Sequence, residues 1–366
     1  MKKISIIGSF ILAFIIIGII TINGAQRDTQ VTKEKTKVGV LLNGECKDKS
    51  WGQSHYEGLE LTANQLNLDL YYVENTPETE ECLAIIDGLI MDGCKIIICN
   101  SFNYGEWMIQ AAEKYPDICF FHATGVVDSK NLTTYFGRIY QMRYLSGIVA
   151  GMQTETNQIG YVAAFPISEV NRGINAFTLG VRAVNPEATV YVEWSETWTD
   201  DEKTAEAATG LLDKNRQIDV LAMHTDSLAV LDIAEERGIW SIGYNYDNSE
   251  SYPNTYLTAP VWDWENFYTP HILTCLQGKF EGHHYWESIE SGMVSMAPLS
   301  AAAKPGVREA VEEKRLCLMS GTFDVFYGPV KDNEGQIRVA EGESMTDEAM
   351  LNHFDWYVEG VVIDEK

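Results

Sequence analysis

Eight residues stand out for what their side chains can do together. Trp51, Phe102, Phe165, Trp198 and Trp262 supply aromatic rings, and Asp226, Asn245 and Asp247 supply directional polar groups. They fall at or shortly after the ends of short apolar runs, such as VLAMH before Thr225-Asp226, where a loop of ordinary composition would be small and polar. Flat rings accompanied by single Asn or Asp side chains suit a flat, neutral, heteroaromatic ligand. Stacking on one ring contributes about 1–3 kcal/mol per base, and a hydrogen bond to a charged group about 1.5–3 kcal/mol. Two faces and one or two such bonds reach the roughly −8.2 kcal/mol of a micromolar complex. Each residue also has a plainer use. Any of the Trp rings, including the neighbours Trp194 and Trp264, can simply pack in a core. Asp226 can cap a helix starting near Ser227, Asn245 and Asp247 can form a turn, and Phe102 can pack its own loop. The joint location carries the reading, not any one residue.

The elements that must position these residues alternate along the chain. Lys37–Asn43, Leu68–Val73, Lys95–Asn100 and Ile118–Ala123 read as buried strands. Between and after them, Gly52–Leu66, Thr79–Met91, Tyr104–Tyr115 and Met142–Gln153 read as helices. The rhythm then starts afresh at Gln158–Ala163 and continues through Val220–His224 to Ser241–Tyr244, with helices between. Such β-α alternation predicts parallel sheets covered by helices on both faces. The restart predicts an α/β protein of two doubly wound, Rossmann-like lobes joined by a hinge. Residues 37–155 with about 259–300 would form one lobe, and 156–258 with about 301–366 the other. In open α/β sheets ligands sit outside the carboxyl ends of the strands, which places the eight residues around one cleft between the lobes.

The 366 residues carry a formal net charge of −26, which argues against binding to a phosphate backbone, and the 45% apolar content is enough for full cores. Lys2 and Lys3 precede an uncharged run from Ile4 to Ile22, about 28 Å long as a helix. This predicts export of everything downstream, with residues 1–25 a signal sequence or a retained membrane anchor and 26–36 a polar linker. The protein is therefore expected outside the cytoplasm, secreted or held at the membrane. Seven cysteines, with no CxxC pair, suggest neither a dense disulfide framework nor a metal site, and Cys94 and Cys99 flank a buried-strand pattern. HExxH, P-loop, GxSxG and strand-following GxGxxG motifs are all missing from the sequence, so neither an enzyme nor a cofactor is expected.

Several stretches together resemble the basic membrane protein (Med/PnrA-like) solute-binding proteins of ABC transporters. They include Asp48–Gln53 (DKSWGQ), His122–Gly125 (HATG), Tyr135–Arg138 leading to Arg143–Gly147, Ile159–Ala163 to Gly173–Phe177, His224-Thr225-Asp226, Gly328-Pro329 and Asp355–Val361. The resemblance spans about residues 37 to 362. It implies the type I periplasmic-binding fold, a purine ligand and an ABC transporter permease as partner. By motif position, Trp51 and Trp198 resemble the two rings that sandwich the base. Where nucleoside-binding members hold ribose hydroxyls with an Asp and a Lys, this chain has Asn245 and Trp262, which implies a free base such as adenine. Asp226 and Asp247 would accept its N–H groups, and Phe102, Phe165 and Trp262 would close the pocket. Nucleosides and riboflavin remain alternatives, as do a sugar ligand and a membrane-anchored sensor.

Overall fold

The computed structural model describes residues 35–363. The expected export segment and nearly all of the linker lie outside the described residues. Among those described, no helix is long and apolar enough to cross a membrane.

The first half of the chain builds one sheet. In order come β1 (Thr36–Leu41), α1 (Trp51–Leu66), β2 (Leu68–Val73), α2 (Glu81–Met91), β3 (Ile96–Cys99), α3 (Gly105–Lys114), β4 (Cys119–Ala123) and β5 (Leu132–Gly137). β3 is buried at all four positions, as expected of a strand covered on both faces. Then α4 (Tyr140–Gln153) leads into β6 (Gln158–Ala163), α5 (Ser168–Val184), β7 (Thr189–Trp194), α6 (Asp201–Lys214), β8 (Val220–His224), α7 (Ala229–Arg237), β9 (Trp240–Ile242) and β10 (Tyr256–Thr258). The chain returns through β11 (Pro260–Trp262), α8 (Glu265–Leu276), β12 (His284–Glu287) and β13 (Val294–Met296). The tail holds α9 (Val307–Met319), β14 (Val330–Lys331), β15 (Ile337–Val339), α10 (Asp347–Asn352) and β16 (Val361–Ile363).

Two six-stranded sheets result, ordered β12-β5-β4-β3-β1-β2 and β10-β9-β8-β6-β7-β16, with every pairing within them parallel. Each is the doubly wound lobe that the β-α alternation predicts. The returning segment donates β12 to the edge of the first sheet, and the end of the tail donates β16 to the edge of the second. Antiparallel β11 and β13 run side by side where the chain passes between the sheets. Thr258 Oγ1 donates to Ala297 O at 2.7 Å, and Ala297 N donates to Ala259 O at 2.8 Å. This doubled crossing and the β5–α4 segment form the hinge.

α4 packs along α5 at very short range, and glycines make that possible. A Cβ at Gly147 would stand 2.0 Å from Phe177 O, and one at Gly180 would stand 2.0 Å from Tyr144 O. In an exposed helix Gly→Ala stabilises by about 1 kcal/mol. Here the sign reverses, because the obstacle is backbone and cannot swing away. Gly180→Ala is expected to destabilise by about 1–3 kcal/mol or more in urea denaturation. An unchanged midpoint would mean that the two helices can separate freely.

Candidate functional site

The loop after β1 is shaped by one carboxylate. Asp48 accepts the backbone N–H groups of Ser50 (2.8 Å), Gly52 (2.8 Å) and Gln53 (2.9 Å). Free amides at the start of a helix attract such a cap. Burial raises the Asp48 pKa even though these three donors pull the other way. Gly52 is required at its position, since a Cβ there would lie 2.1 Å from Glu45 O. The loop therefore places Trp51 as the first residue of α1. Its Nε1 donates to Asn100 O, at the end of β3, at 2.7 Å.

Trp51 then meets other rings nearly at right angles. It stands 5.6 Å from Trp262 at 78° and 5.4 Å from Trp264 at 82°, while Trp262 and Trp264 stack on one another at 4.5 Å and 8°. Trp262 Nε1 donates to Asn245 Oδ1 at 3.0 Å, and Asn245 Nδ2 donates to Asp226 Oδ1 at 2.8 Å and to Ser50 Oγ at 3.3 Å. Ser50 comes from the first lobe, Asp226 and Asn245 from the second, and Trp262 from the hinge strand. One amide thus ties all three together. More contacts flank it: Asn248 Nδ2 to Lys49 O at 3.0 Å, Lys49 Nζ to Ser251 Oγ at 3.2 Å, and Tyr246 OH to Glu57 Oε1 at 3.0 Å. The two lobes meet along the 245–251 loop and the start of α1.

Trp198 sits on the second-lobe side, partly exposed, 6.0 Å from Phe165 and 6.2 Å from His224. Its carbonyl accepts from the N–H groups of Asp226 (2.8 Å) and Ser227 (3.0 Å), so this ring and this carboxyl are positioned together. Asp226 does not cap the following helix; the Ser227 hydroxyl accepts from Ala229 N instead. Asn245 has a left-handed backbone (φ 67°), and Asp247 makes the ordinary turn, accepting from Ser249 N at 3.0 Å. The structure therefore joins Trp262, Asn245 and Asp226 by hydrogen bonds and sets Trp51 against Trp262 by ring contact, with Trp198 and Phe165 beside them. It gives Asp247 a local partner. Phe102 stands apart, 55% exposed, in a surface depression of about 340 Å³ that it shares with His122, Gly125, Val126 and Val127.

Ser50 and the Asn100 carbonyl belong to this group but carry no signal as single residues; Ser50 lies inside the DKSWGQ motif, which does. Beneath Tyr244 lies a layer of ionisable groups whose mutual contacts no sequence pattern shows. The Arg143 guanidinium is 3.7 Å from the Tyr244 ring centre and donates to Met223 O at 2.8 Å. His224, 3.3 Å from Glu169, is held down to about 4 by burial and by Arg143, so its ring is neutral at neutral pH.

Asp226 is the site's electrostatic anomaly. Burial, reinforced by Asp48 across the cleft, raises its pKa well above the ordinary carboxylate range, and the Asn245 bond offsets only part of this. A raised carboxyl pKa means that the folded state holds the proton more tightly than the unfolded state. Its contribution to stability is full below the ordinary range, near pH 4, and is lost as pH rises through the folded value. Asp226→Asn keeps an acceptor for Asn245 and removes the charge. The variant's melting temperature relative to wild type is expected to climb between pH 4 and pH 8; a pH-independent difference would show that the carboxyl carries no such penalty.

Two α/β lobes joined by crossing strands, with polar and aromatic residues of both meeting in one group, have the architecture of a solute-binding clamp. The chain belongs to the PnrA-like ABC transporter substrate-binding protein family, whose model matches residues 35–318. It is 33% identical to a purine-binding protein of Brucella abortus over 331 residues, covering 90% of this chain and 93% of that one. It is 35% identical to a putative ABC transporter glucose-binding protein of Haloferax volcanii, covering 87% and 78%. A solved ABC transporter solute-binding protein of Aeropyrum pernix superposes with a TM-score of 0.68 at 17% identity, covering 81% of this chain and 93% of that one, which shows the shared fold. Proteins of this kind work outside the cytoplasm, take up small-molecule ligands and serve ABC permeases.

Proposed function

We propose that this protein captures a purine, a free base such as adenine in preference to its nucleoside, and presents it to an ABC permease. The observation that carries the reading is the Asp226 carboxyl. Among the described residues its only hydrogen bond comes from Asn245 Nδ2, which leaves Oδ2 to accept a ligand N–H. Both ends of the Asn245 amide are already engaged, by Trp262 and by Asp226 and Ser50. A single in-plane acceptor among rings suits the N–H edge of a base. Ribose hydroxyls would need further polar groups, and Trp262 presents its indole N–H to Asn245 instead of to a ligand. In this reading Trp51 and Trp198 supply the stacking faces, Phe165 and Trp262 wall the pocket, and Asp247 lies at its lip, while Phe102, in its separate depression, is left out of the contact set. Binding closes the lobes about the hinge, because contacts come from both. Residues 1–25 direct export and either leave or remain as an anchor.

Thermal shift against adenine, hypoxanthine, guanine, adenosine, riboflavin and glucose tests the reading. A ligand at 100 times its Kd adds about 2.7 kcal/mol of stability. Adenine is expected to stabilise the protein, and adenosine and glucose to leave the melting temperature in place. Stabilisation by glucose alone would move the chain's ligand to that of its Haloferax relative, and stabilisation by adenosine above adenine would reject the free-base reading.

A further inference from the structure

The segment that returns across the hinge carries α8 back onto the first sheet, and two cysteines meet in that contact. Side chains alternate along a strand, so Cys119 at the start of β4 shares a face with Phe121 and Ala123. On that face Phe121 packs against Phe267 of α8 at 6.0 Å and against Phe280, just past its end, at 5.1 Å. The buried stripe of α8 runs through Phe267, Tyr268 and Ile272. Helical spacing of three to four residues continues it to Cys275, whose thiol lies 3.6 Å from His271 O. Cys119 and Cys275 both sit partly exposed at the margin of the same apolar cluster. We propose that Cys119 and Cys275 are a disulfide-forming pair that ties the end of α8 to the start of β4.

The electrostatics agree with that geometry. The neighbouring Cys275 thiol holds Cys119 below the ordinary thiol range, whereas burial and the adjacent Cys119 push Cys275 up. In the exchange that begins at Cys119, its thiolate attacks one sulfur of an external disulfide such as oxidised glutathione, forming a mixed disulfide and expelling the first glutathione thiolate. The Cys275 thiol then gives up its proton and attacks Cys119 Sγ, expelling the second. Two protein thiols are oxidised, one external disulfide is reduced to two thiols, and the two protein protons pass to them. Of the other cysteines, Cys46, Cys82, Cys94 and Cys99 are buried and raised by burial, which keeps them unreactive. An extracytoplasmic compartment permits this bond. The inference does not depend on which ligand the cleft takes.

The full chain incubated with oxidised glutathione, then denatured, alkylated and mapped by mass spectrometry without reduction, tests it. The expected result is five alkylated thiols where the reduced chain has seven, with one cross-linked peptide joining positions 119 and 275. The oxidised form should also melt several degrees above the reduced one. Cys119→Ser and Cys275→Ser should each abolish the cross-link without creating another. Seven alkylated thiols, glutathione retained on Cys119, or a cross-link between any other pair such as Cys82 and Cys99 would overturn the proposal.

Discussion

Trp51→Ala is expected to weaken adenine binding by about 5- to 150-fold, the loss of one stacking face worth about 1–3 kcal/mol. The ring is fixed before any ligand arrives, at its backbone by the Asp48-capped start of α1 and at its edge by the Nε1 bond to Asn100 O. Little side-chain entropy is then lost on binding. The ring is also 8% exposed and packs against His55, Trp262 and Trp264, so truncation will lower stability as well. Trp51→Phe separates the two effects, because it keeps an aromatic face and gives up only the indole hydrogen bond. Calorimetric titration should find the Phe variant within a few-fold of wild type and the Ala variant far weaker. Equal losses in both would assign the effect to packing and remove Trp51 from the ligand.

Trp264→Ala is expected to cost about 3–5 kcal/mol of stability in denaturant unfolding, the largest effect among the substitutions considered. Trp264 is fully buried, stacks on Trp262 at 4.5 Å and on His55 at 4.2 Å, and its Nε1 donates to Ser54 Oγ at 3.0 Å. The surroundings have little room to collapse into the void. Gly58 lies directly against this residue, where a Cβ would come within 2.6 Å of Trp264 Cβ, so α1 and the start of α8 are already in contact. A loss below about 1 kcal/mol would mean that the cavity refills, contrary to the close packing seen.

The strand rhythm was readable wherever burial ran unbroken. Gln158–Ala163 forms β6 at the expected residues, and β3 occupies the middle of Lys95–Asn100. Leu132–Gly137 escaped because no helix separates it from β4, so the alternation skips a beat there. α8 contains Pro270 and has little one-sided apolar pattern, and the short strands β12 and β16 are defined by partners far away in sequence. The hinge pairing of β11 with β13 is invisible for the same reason.

At the site, residue types were more legible than their connections. Aromatics next to Asn and Asp at strand ends marked loops that meet between the lobes, but no pattern says that Trp262 donates to Asn245 or that Asn245 donates to Asp226. Those bonds depend on how the lobes meet. Asp247 and Phe102 look like Asp226 and Trp51 in sequence, yet one is engaged in a turn and the other is exposed. Composition cannot distinguish a ring aimed into a cleft from one aimed past it.

Calorimetric titration of adenine into the wild-type protein and into Asp226→Ala isolates what the Asp226 carboxyl contributes to binding. Wild type should bind at about micromolar Kd, near −8.2 kcal/mol. The variant, lacking the one open acceptor, should bind at least about fivefold more weakly, since leaving a buried ligand N–H without its acceptor costs about 1–3 kcal/mol. Equal affinities in the two proteins, or no heat from adenine in a wild-type protein that binds glucose, would contradict the account.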